Sequence, residues 1–170
     1  MNGARPLKIW ITRAQPGADA TAARVHALGH TTLVAPLLAV EMLENAEVDL
    51  RDVGALAFTS ANGLRAFTRL SADRSLRVFA VGAATALAAR QAGFKHVLSA
   101  DGDVAALAQG IASRRAEISG AVLHPGAAEL AGDLAGALER AKIEVRQLTL
   151  YDTAPTRLEP HLVEQLAQVD

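Results

Sequence analysis

The sequence of 170 residues contains no cysteine, only 4% aromatic residues and no excess of charge of either sign. The absence of cysteine excludes disulfide bridges, thiolate zinc sites, iron–sulfur clusters and cysteine nucleophiles. Lysine and arginine total 17 against 18 acidic residues, a net charge of −1 that argues against sequence-general binding to nucleic acid. No apolar run approaches the roughly 18 residues of a membrane-spanning helix.

Several common signatures are also missing. There is no G-x-G-x-x-G, no G-x-x-x-x-G-K-[ST], no G-x-S-x-G and no H-E-x-x-H. The histidines are scattered singly, so the sequence predicts no metal site. Of these histidines, only His124 ends a predicted strand where a ligand could reach it. The N-terminus has no secretory signal, because Arg13 interrupts its short apolar stretch, and we expect a cytoplasmic protein.

What the sequence does contain is a regular alternation of short apolar strands and alanine-rich helices. This alternation predicts parallel strands with helices on both faces of a sheet. Strands are predicted at 7–12, 31–35, 55–58, 78–81, 95–98, 121–124 and 143–150, with a polar linker at 151–157. Helices are predicted at 19–28, 59–70, 83–92, 101–115, 127–141 and 158–168.

Some helix boundaries carry their own signals. Gly29 is expected to end the first helix, Asp101 or Asp103 to cap the fourth, and Pro160 to lie in the first turn of the last. The first helix is predicted to present its apolar face through Ala20, Ala23, Ala27 and Leu28.

Small and hydroxyl-bearing residues follow most of the predicted strands. In parallel α/β sheets, ligands bind at the carboxyl ends of the strands, beside the N-termini of the following helices. Main-chain N–H groups and helix dipoles at such turns suit anionic groups. The segments at these positions are Thr12-Arg13, Thr59–Asn62, Val81–Thr85, His124–Ala127 and Tyr151.

Six segments, in this order and spacing, resemble those of the uroporphyrinogen-III synthases, cytosolic enzymes of tetrapyrrole biosynthesis. The resemblance covers essentially the whole chain. The segments are Ile11–Arg13 with Ala27–His30, Val34–Glu41, Ala57–Gly63, Val78–Ala86, Val122–Gly126 and Leu150–Pro155.

The resemblance implies two flavodoxin-like parallel-sheet α/β domains joined by a two-stranded connector. Domain one would comprise 1–35 with 156–170 and would be incomplete, and domain two would comprise 40–149. The connector would be 36–41 and 149–155. We expect a truncated form of a protein that is monomeric when complete, although completion by dimerisation is an alternative. The incomplete domain would expose apolar surface around Ile9, Ile11, Val25 and Leu28.

The resemblance also implies a reaction and its residues. The substrate would be hydroxymethylbilane, cyclised with loss of water and inversion of the last ring, with no cofactor, metal, membrane or nucleic acid involved. Tyr151 would place a proton on the leaving hydroxyl, and Thr85 would assist by hydrogen bonding. The substrate would be bound by Arg13, Ser60, Asn62, Gly82 and Gly126.

Each of these residues also has a structural alternative. Tyr151 could cap a strand end, Thr85 and Ser60 could cap helices, and Arg13 could be an ordinary surface residue. Two other functions remain open for the whole chain. One is a non-catalytic anion-binding α/β module, and the other is an interaction domain whose alanine-rich helices pair with a partner.

Overall fold

The structure is a computed structural model that describes residues 5–129 and 132–170. It is a mixed α/β fold, and the chain divides into two compact units. Unit 1 is Met1–Glu41 with Thr153–Asp170, and unit 2 is Met42–Asp152. The strands are β1 (Lys8–Ile11), β2 (Thr31–Val34), β3 (Leu38–Met42), β4 (Val53–Phe58), β5 (Arg77–Ala80), β6 (Val97–Ser99), β7 (Ala121–Ala127) and β8 (Val145–Pro155). The helices are α1 (Gly17–Ala27), α2 (Ala61–Leu70), α3 (Ala83–Gln91), α4 (Val104–Ala112), α5 (Leu134–Arg140) and α6 (Pro160–Leu166).

The large sheet has the strand order β3-β8-β7-β4-β5-β6, and β4 to β8 pair in parallel. Counted from β4, the five parallel strands follow the order 3-2-1-4-5, which is typical of doubly wound dinucleotide-binding sheets. Flavodoxin-like sheets have the order 2-1-3-4-5. The flavodoxin-like label therefore does not fit unit 2, because the chain adds β5 and β6 on one side of β4 before it crosses to the other.

Helices cover both faces of this sheet. On one face, Ala55 and Ala57 of β4 pack in a core cluster with residues of α4 and α5 such as Leu107 and Leu138. The alternate residue Phe58 meets Phe67 of α2 edge to face, with ring centroids 5.9 Å apart. Because β4 is covered on both faces, its sequence is a continuous apolar run.

Unit 1 is much smaller. β1 and β2 form a two-stranded parallel sheet, and Ile11 packs with Ala18 and Ala22 of α1. Ile11 is only 4% exposed, so its predicted exposure is wrong, whereas Leu28 is 75% exposed. The predicted apolar face of α1 is also wrong. Ala18 and Ala22 share a face four residues apart and are buried, while Ala20, Ala23 and Ala27 are exposed.

Two other predicted elements differ from the structure. Strand β8 continues through Pro155, so the segment predicted as a polar linker is extended and paired backbone. Strand β7 runs to Ala127, and α5 begins only at Leu134, after the cap Asp133. Part of the helix predicted at 127–141 falls on residues 130 and 131, which lie outside the described residues, as do residues 1–4 of predicted domain one.

Three boundary predictions are confirmed. Gly29 follows α1 with φ +83°, Asp103 caps α4 through the Ala106 N–H, and Pro160 opens α6. Within residues 5–129 and 132–170, none of the helices has both the length and the apolar character needed to cross a bilayer.

Candidate functional site

The carboxyl edge of the unit 2 sheet contains a topological switch point. The chain leaves β4 toward β5 on one side, while β7 pairs with β4 on the other. In doubly wound sheets, the crevice outside such a switch point is where ligands bind. The Thr59-Ser60 turn after β4 and the His124–Gly126 segment of β7 lie there, followed by Tyr151 on β8.

Tyr151 and Ser60 meet through their hydroxyl groups. The two oxygens are 3.0 Å apart, and the Tyr151 side chain is only 6% exposed. Ser60 also caps α2, since its Oγ accepts the Gly63 N–H at 3.1 Å. The Tyr151 carbonyl accepts the Ala128 N–H at 3.0 Å, which anchors this part of β8 against the end of β7. Tyr151 is therefore fixed by hydrogen bonds at both its backbone and its phenolic hydroxyl.

His124 and Thr59 form the neighbouring pair. His124 is 1% exposed, and its Nε2 lies 3.1 Å from the Thr59 Oγ1. Its Nδ1 has no hydrogen-bond partner among the described residues. Burial lowers the pKa of His124 to about 4, so the ring is neutral at pH 7. A buried polar atom left unpaired costs about 1–3 kcal/mol, which sets His124 apart from an ordinary core residue.

Gly63 brings α2 directly onto β7. A Cβ at this position would lie 2.5 Å from the Pro125 carbonyl oxygen, a separation that real Cβ atoms do not show. Glycine therefore lets the first turn of α2 rest on the backbone of β7. This close approach places Thr59 and Ser60 beside the strand that carries His124.

Thr85 and Gly82 lie at the start of α3. Gly82 is the N-cap residue, in extended conformation and with no side chain to donate or accept a hydrogen bond. Thr85 is three residues further along and 6% exposed, so the alternative that it caps the helix is wrong. A Cβ on Gly82 would meet no atom within 4 Å, which leaves open space beside this backbone.

The remaining predicted binding residues have separate surroundings. The Asn62 Oδ1 accepts a hydrogen bond from Arg65 at 2.5 Å. Gly126 is buried in β7, where the register with β8 shifts. Arg13 belongs to unit 1, and its guanidinium donates to the Thr21 Oγ1 at 3.2 Å across the first turn of α1. Among the seven predicted site residues, the described hydrogen bonds join only Ser60 and Tyr151 directly.

The sequence did not reveal the contributions of Thr59 and Gly63, or the partner of His124. Thr59 and His124 are 65 positions apart, and no spacing pattern predicts their pairing. The available signal was positional, because Thr59 follows β4 and His124 lies in the second half of β7, the two strands that flank the switch point. Within the described ranges there is no group of three or more His, Asp or Glu side chains suited to a metal ion.

Residues 19–170 match the family model described as uroporphyrinogen-III synthase HemD. The chain belongs to the uroporphyrinogen-III synthase family. Members of this family are lyases of porphyrin and haem biosynthesis that act on a tetrapyrrole. The resemblance identified from the six segments is thus confirmed at the level of the family.

Solved structures of uroporphyrinogen-III synthases share the fold. The Helicobacter pylori protein is 18% identical with a TM-score of 0.58, and the alignment covers 96% of this chain and 68% of that one. A mutant of the Thermus thermophilus protein is 20% identical with a TM-score of 0.57, with 96% and 70% covered. No curated protein sequence matches this chain significantly.

Proposed function

We propose that this chain carries out the reaction of a uroporphyrinogen-III synthase. Hydroxymethylbilane would lose its terminal hydroxyl as water, and the chain would close by carbon–carbon bond formation with inversion of the last ring. This makes the enzyme a cyclising hydro-lyase that needs neither cofactor nor metal. The observation that carries the proposal is the Tyr151 hydroxyl, which a side-chain hydroxyl holds at the carboxyl edge of the sheet.

Tyr151 is the proposed proton donor to the leaving hydroxyl. A phenol already fixed by a hydrogen bond loses little freedom when it transfers its proton, and oriented acids contribute about 10²–10⁴ in rate. Ser60 supports this role from the other side of the bond, because its Oγ is itself held by the Gly63 N–H.

The carboxylates of the substrate are proposed to bind at the turns after the strands. The open backbone at Gly82 and the N-terminus of α3 offer N–H groups to an anion, with Thr85 in the first turn. Asn62 and Gly126 are proposed to contribute at the neighbouring turns, and Arg13 is proposed as a further substrate-binding residue.

We also propose that the protein has two α/β domains, with the first domain incomplete in these 170 residues. Domain one would comprise 1–35 and 156–170, domain two 40–149, and the connector 36–41 and 149–155. The outer edge of β1 supports this proposal. The Lys8 carbonyl accepts the Asp170 N–H at 3.0 Å, and the Lys8 N–H donates to the Asp170 carboxylate at 2.8 Å. A strand continuing from this point would extend the sheet beyond β1.

The competing proposal is an anion-binding module, or an inactive fragment of the synthase. The observation that favours it is the sheet of unit 1, which has two strands within the described residues. A flexible bilane held by one complete domain would lose the orientation that can be worth about 7–11 kcal/mol. It would then cyclise as it does in water, without inversion.

The test supplies hydroxymethylbilane to residues 1–170 and to the full-length gene product and resolves the two product isomers by chromatography. We expect the inverted isomer to dominate with the full-length product and to be a minor product with residues 1–170. Binding of the cyclic product without turnover by either form would favour the anion-binding module. Rapid formation of the inverted isomer by residues 1–170 would contradict the incomplete domain. Sedimentation at several concentrations would then show whether a dimer supplies the missing part.

A further inference from the structure

The burial of His124 in β7 is not explained by packing. Its neighbours along the strand, Val122 and Leu123, are buried apolar residues, and an apolar side chain at position 124 would avoid the unpaired Nδ1 but would remove the partner of the Thr59 hydroxyl. Among the described residues, the Nδ1 of the imidazole has no partner, and the ring makes one hydrogen bond, between its Nε2 and the Thr59 Oγ1. We therefore interpret the hydrogen bond to Thr59 as the reason for a histidine at this position.

The Thr59 contact leads directly to Tyr151. Thr59 and Ser60 are consecutive residues in the turn between β4 and α2, and the Ser60 Oγ lies 3.0 Å from the Tyr151 hydroxyl. The turn is thus held by a hydroxyl on each of its two residues, by His124 on one side and by Tyr151 on the other. The close approach of Gly63 to the Pro125 carbonyl keeps the turn against β7.

We propose that His124 is a positioning residue, which holds the Thr59 hydroxyl so that Ser60 presents its own hydroxyl to Tyr151. The inference rests on the proposed role of Tyr151 as the proton donor. Either neutral tautomer can maintain the bond, since Nε2 donates to Thr59 in one and accepts from it in the other. Tyr151 is then oriented by a path of contacts that runs from β7 through the turn after β4 to β8.

The positioning role requires a hydrogen-bonding atom where the His124 Nε2 lies and a hydroxyl at position 59. His124→Gln retains an amide near the Nε2 position, whereas His124→Phe retains only the ring. Thr59→Ser retains the hydroxyl, whereas Thr59→Val removes it at nearly constant volume. These two pairs separate the loss of the bond from the loss of packing.

The primary readout is the ¹³Cζ resonance of Tyr151, which reports hydrogen bonding at the phenol oxygen. Tyr151 is the one tyrosine in the 170 residues, so labelled tyrosine gives a single assignable signal. We expect His124→Phe and Thr59→Val to shift or broaden this resonance in the same way as Ser60→Ala. His124→Gln and Thr59→Ser should restore it. Phe94→Leu is the control, because Phe94 is 3% exposed and packs against Phe67 and Arg74 instead.

The second readout is the formation of the inverted isomer by the full-length gene product. His124→Phe and Thr59→Val should each lower kcat about tenfold with little change in KM, because a displaced acid affects the transition state rather than binding. The double variant should lose no more than either single variant, since both break the same bond.

An unchanged Tyr151 resonance in His124→Phe and Thr59→Val would overturn the proposal. So would additive kinetic losses in the double variant, or an equal shift of the resonance in Phe94→Leu. If His124→Phe fails to fold, the Thr59 pair and His124→Gln still decide the matter. Absence of turnover by the unaltered full-length protein would instead contradict the proposed function, and the Tyr151 resonance would still test the positioning.

Discussion

The two units of this chain differ in how far each buries its own strands. In unit 2, Ala55–Phe58 of β4 are essentially inaccessible, with helices on both faces. In unit 1, a two-stranded sheet is covered by a small cluster, and two-stranded sheets are marginal on their own. Several large apolar residues of unit 1 are at least 39% exposed, namely Leu7, Leu28, Leu37, Leu38 and Val163. The hydrogen-bonded hydroxyls of Ser60 and Tyr151 belong to unit 2, which has the larger core.

The largest expected effect tests whether unit 2 has an independent core. Phe67 is inaccessible and contacts the rings of Phe58 and Phe94. Phe67→Ala should lower the free energy of unfolding by about 3–5 kcal/mol. Urea unfolding followed by far-UV circular dichroism measures this change.

Trp10 lies in unit 1 and is the one tryptophan of the sequence, so its fluorescence reports on that unit. In the unaltered protein, we expect the Trp10 transition at a lower urea concentration than the dichroism transition. Ile11→Ala is the matched substitution and should move mainly the Trp10 signal. If both substitutions moved both signals equally, the two units would unfold as one and the comparison would fail.

The next effect is a pH dependence that belongs to unit 2. The pKa of His124 is about 4 in the folded protein and about 6.5 for an ordinary histidine, so the unfolded state binds more protons between these values. The free energy of unfolding should therefore fall by about 3 kcal/mol as the pH drops from 6.5 to 4.

This loss should be absent from His124→Gln, because the glutamine at position 124 does not titrate in that window. Urea unfolding at pH 7 and pH 4.5 compares the two proteins. An equal loss in both would mean that other groups cause the acid sensitivity.

The alternation of strands and helices allowed the parallel α/β class and most elements of unit 2 to be predicted. Continuous apolar runs such as 55–58 and glycines after helices are local signals, and the strands and helix ends predicted from them are confirmed. The strand order could not be predicted, because it depends on which side of β4 each crossover places its strand. The prediction of the buried face of α1 was wrong for a similar reason. Alanines lie all around this helix, and only the packing of Ala18 and Ala22 on Ile11 decides which face is inside.

The candidate site was predictable only in part. The rule that ligands bind at the carboxyl ends of parallel strands indicated the segments that contain Ser60, Thr85 and Tyr151, and the family resemblance singled out these residues within them. The contact between Ser60 and Tyr151 spans 91 positions, and the one between Thr59 and His124 spans 65. Such pairs follow from the strand order, which the sequence pattern does not specify.

A smaller effect separates the site from its surroundings within unit 2. Ser60 and Asp103 both cap helices, but only Ser60 is hydrogen-bonded to Tyr151. Ser60→Ala and Asp103→Ala should each cost about 1 kcal/mol of stability. Only Ser60→Ala should also slow formation of the inverted isomer. Equal loss of activity in the two variants would show that stability, and not the Tyr151 contact, limits the rate.

The smallest effect concerns the surface of unit 1. Leu28 is 75% exposed, so Leu28→Ala should change the free energy of unfolding by less than about 0.5 kcal/mol. The Trp10 fluorescence transition in urea measures it. A loss above about 1 kcal/mol would mean that Leu28 is covered in solution, and that unit 1 buries more than its own residues provide.

The most direct test of the account is the rate at which the full-length gene product forms the inverted isomer, compared with its Tyr151→Phe variant. The substitution removes the phenolic hydroxyl and keeps the ring, so the urea midpoint should change little. The account predicts a fall of about 100-fold in the rate of the inverted isomer, with the uninverted background unchanged. A Tyr151→Phe variant as fast as the unaltered protein would contradict the assignment of Tyr151 as the proton donor.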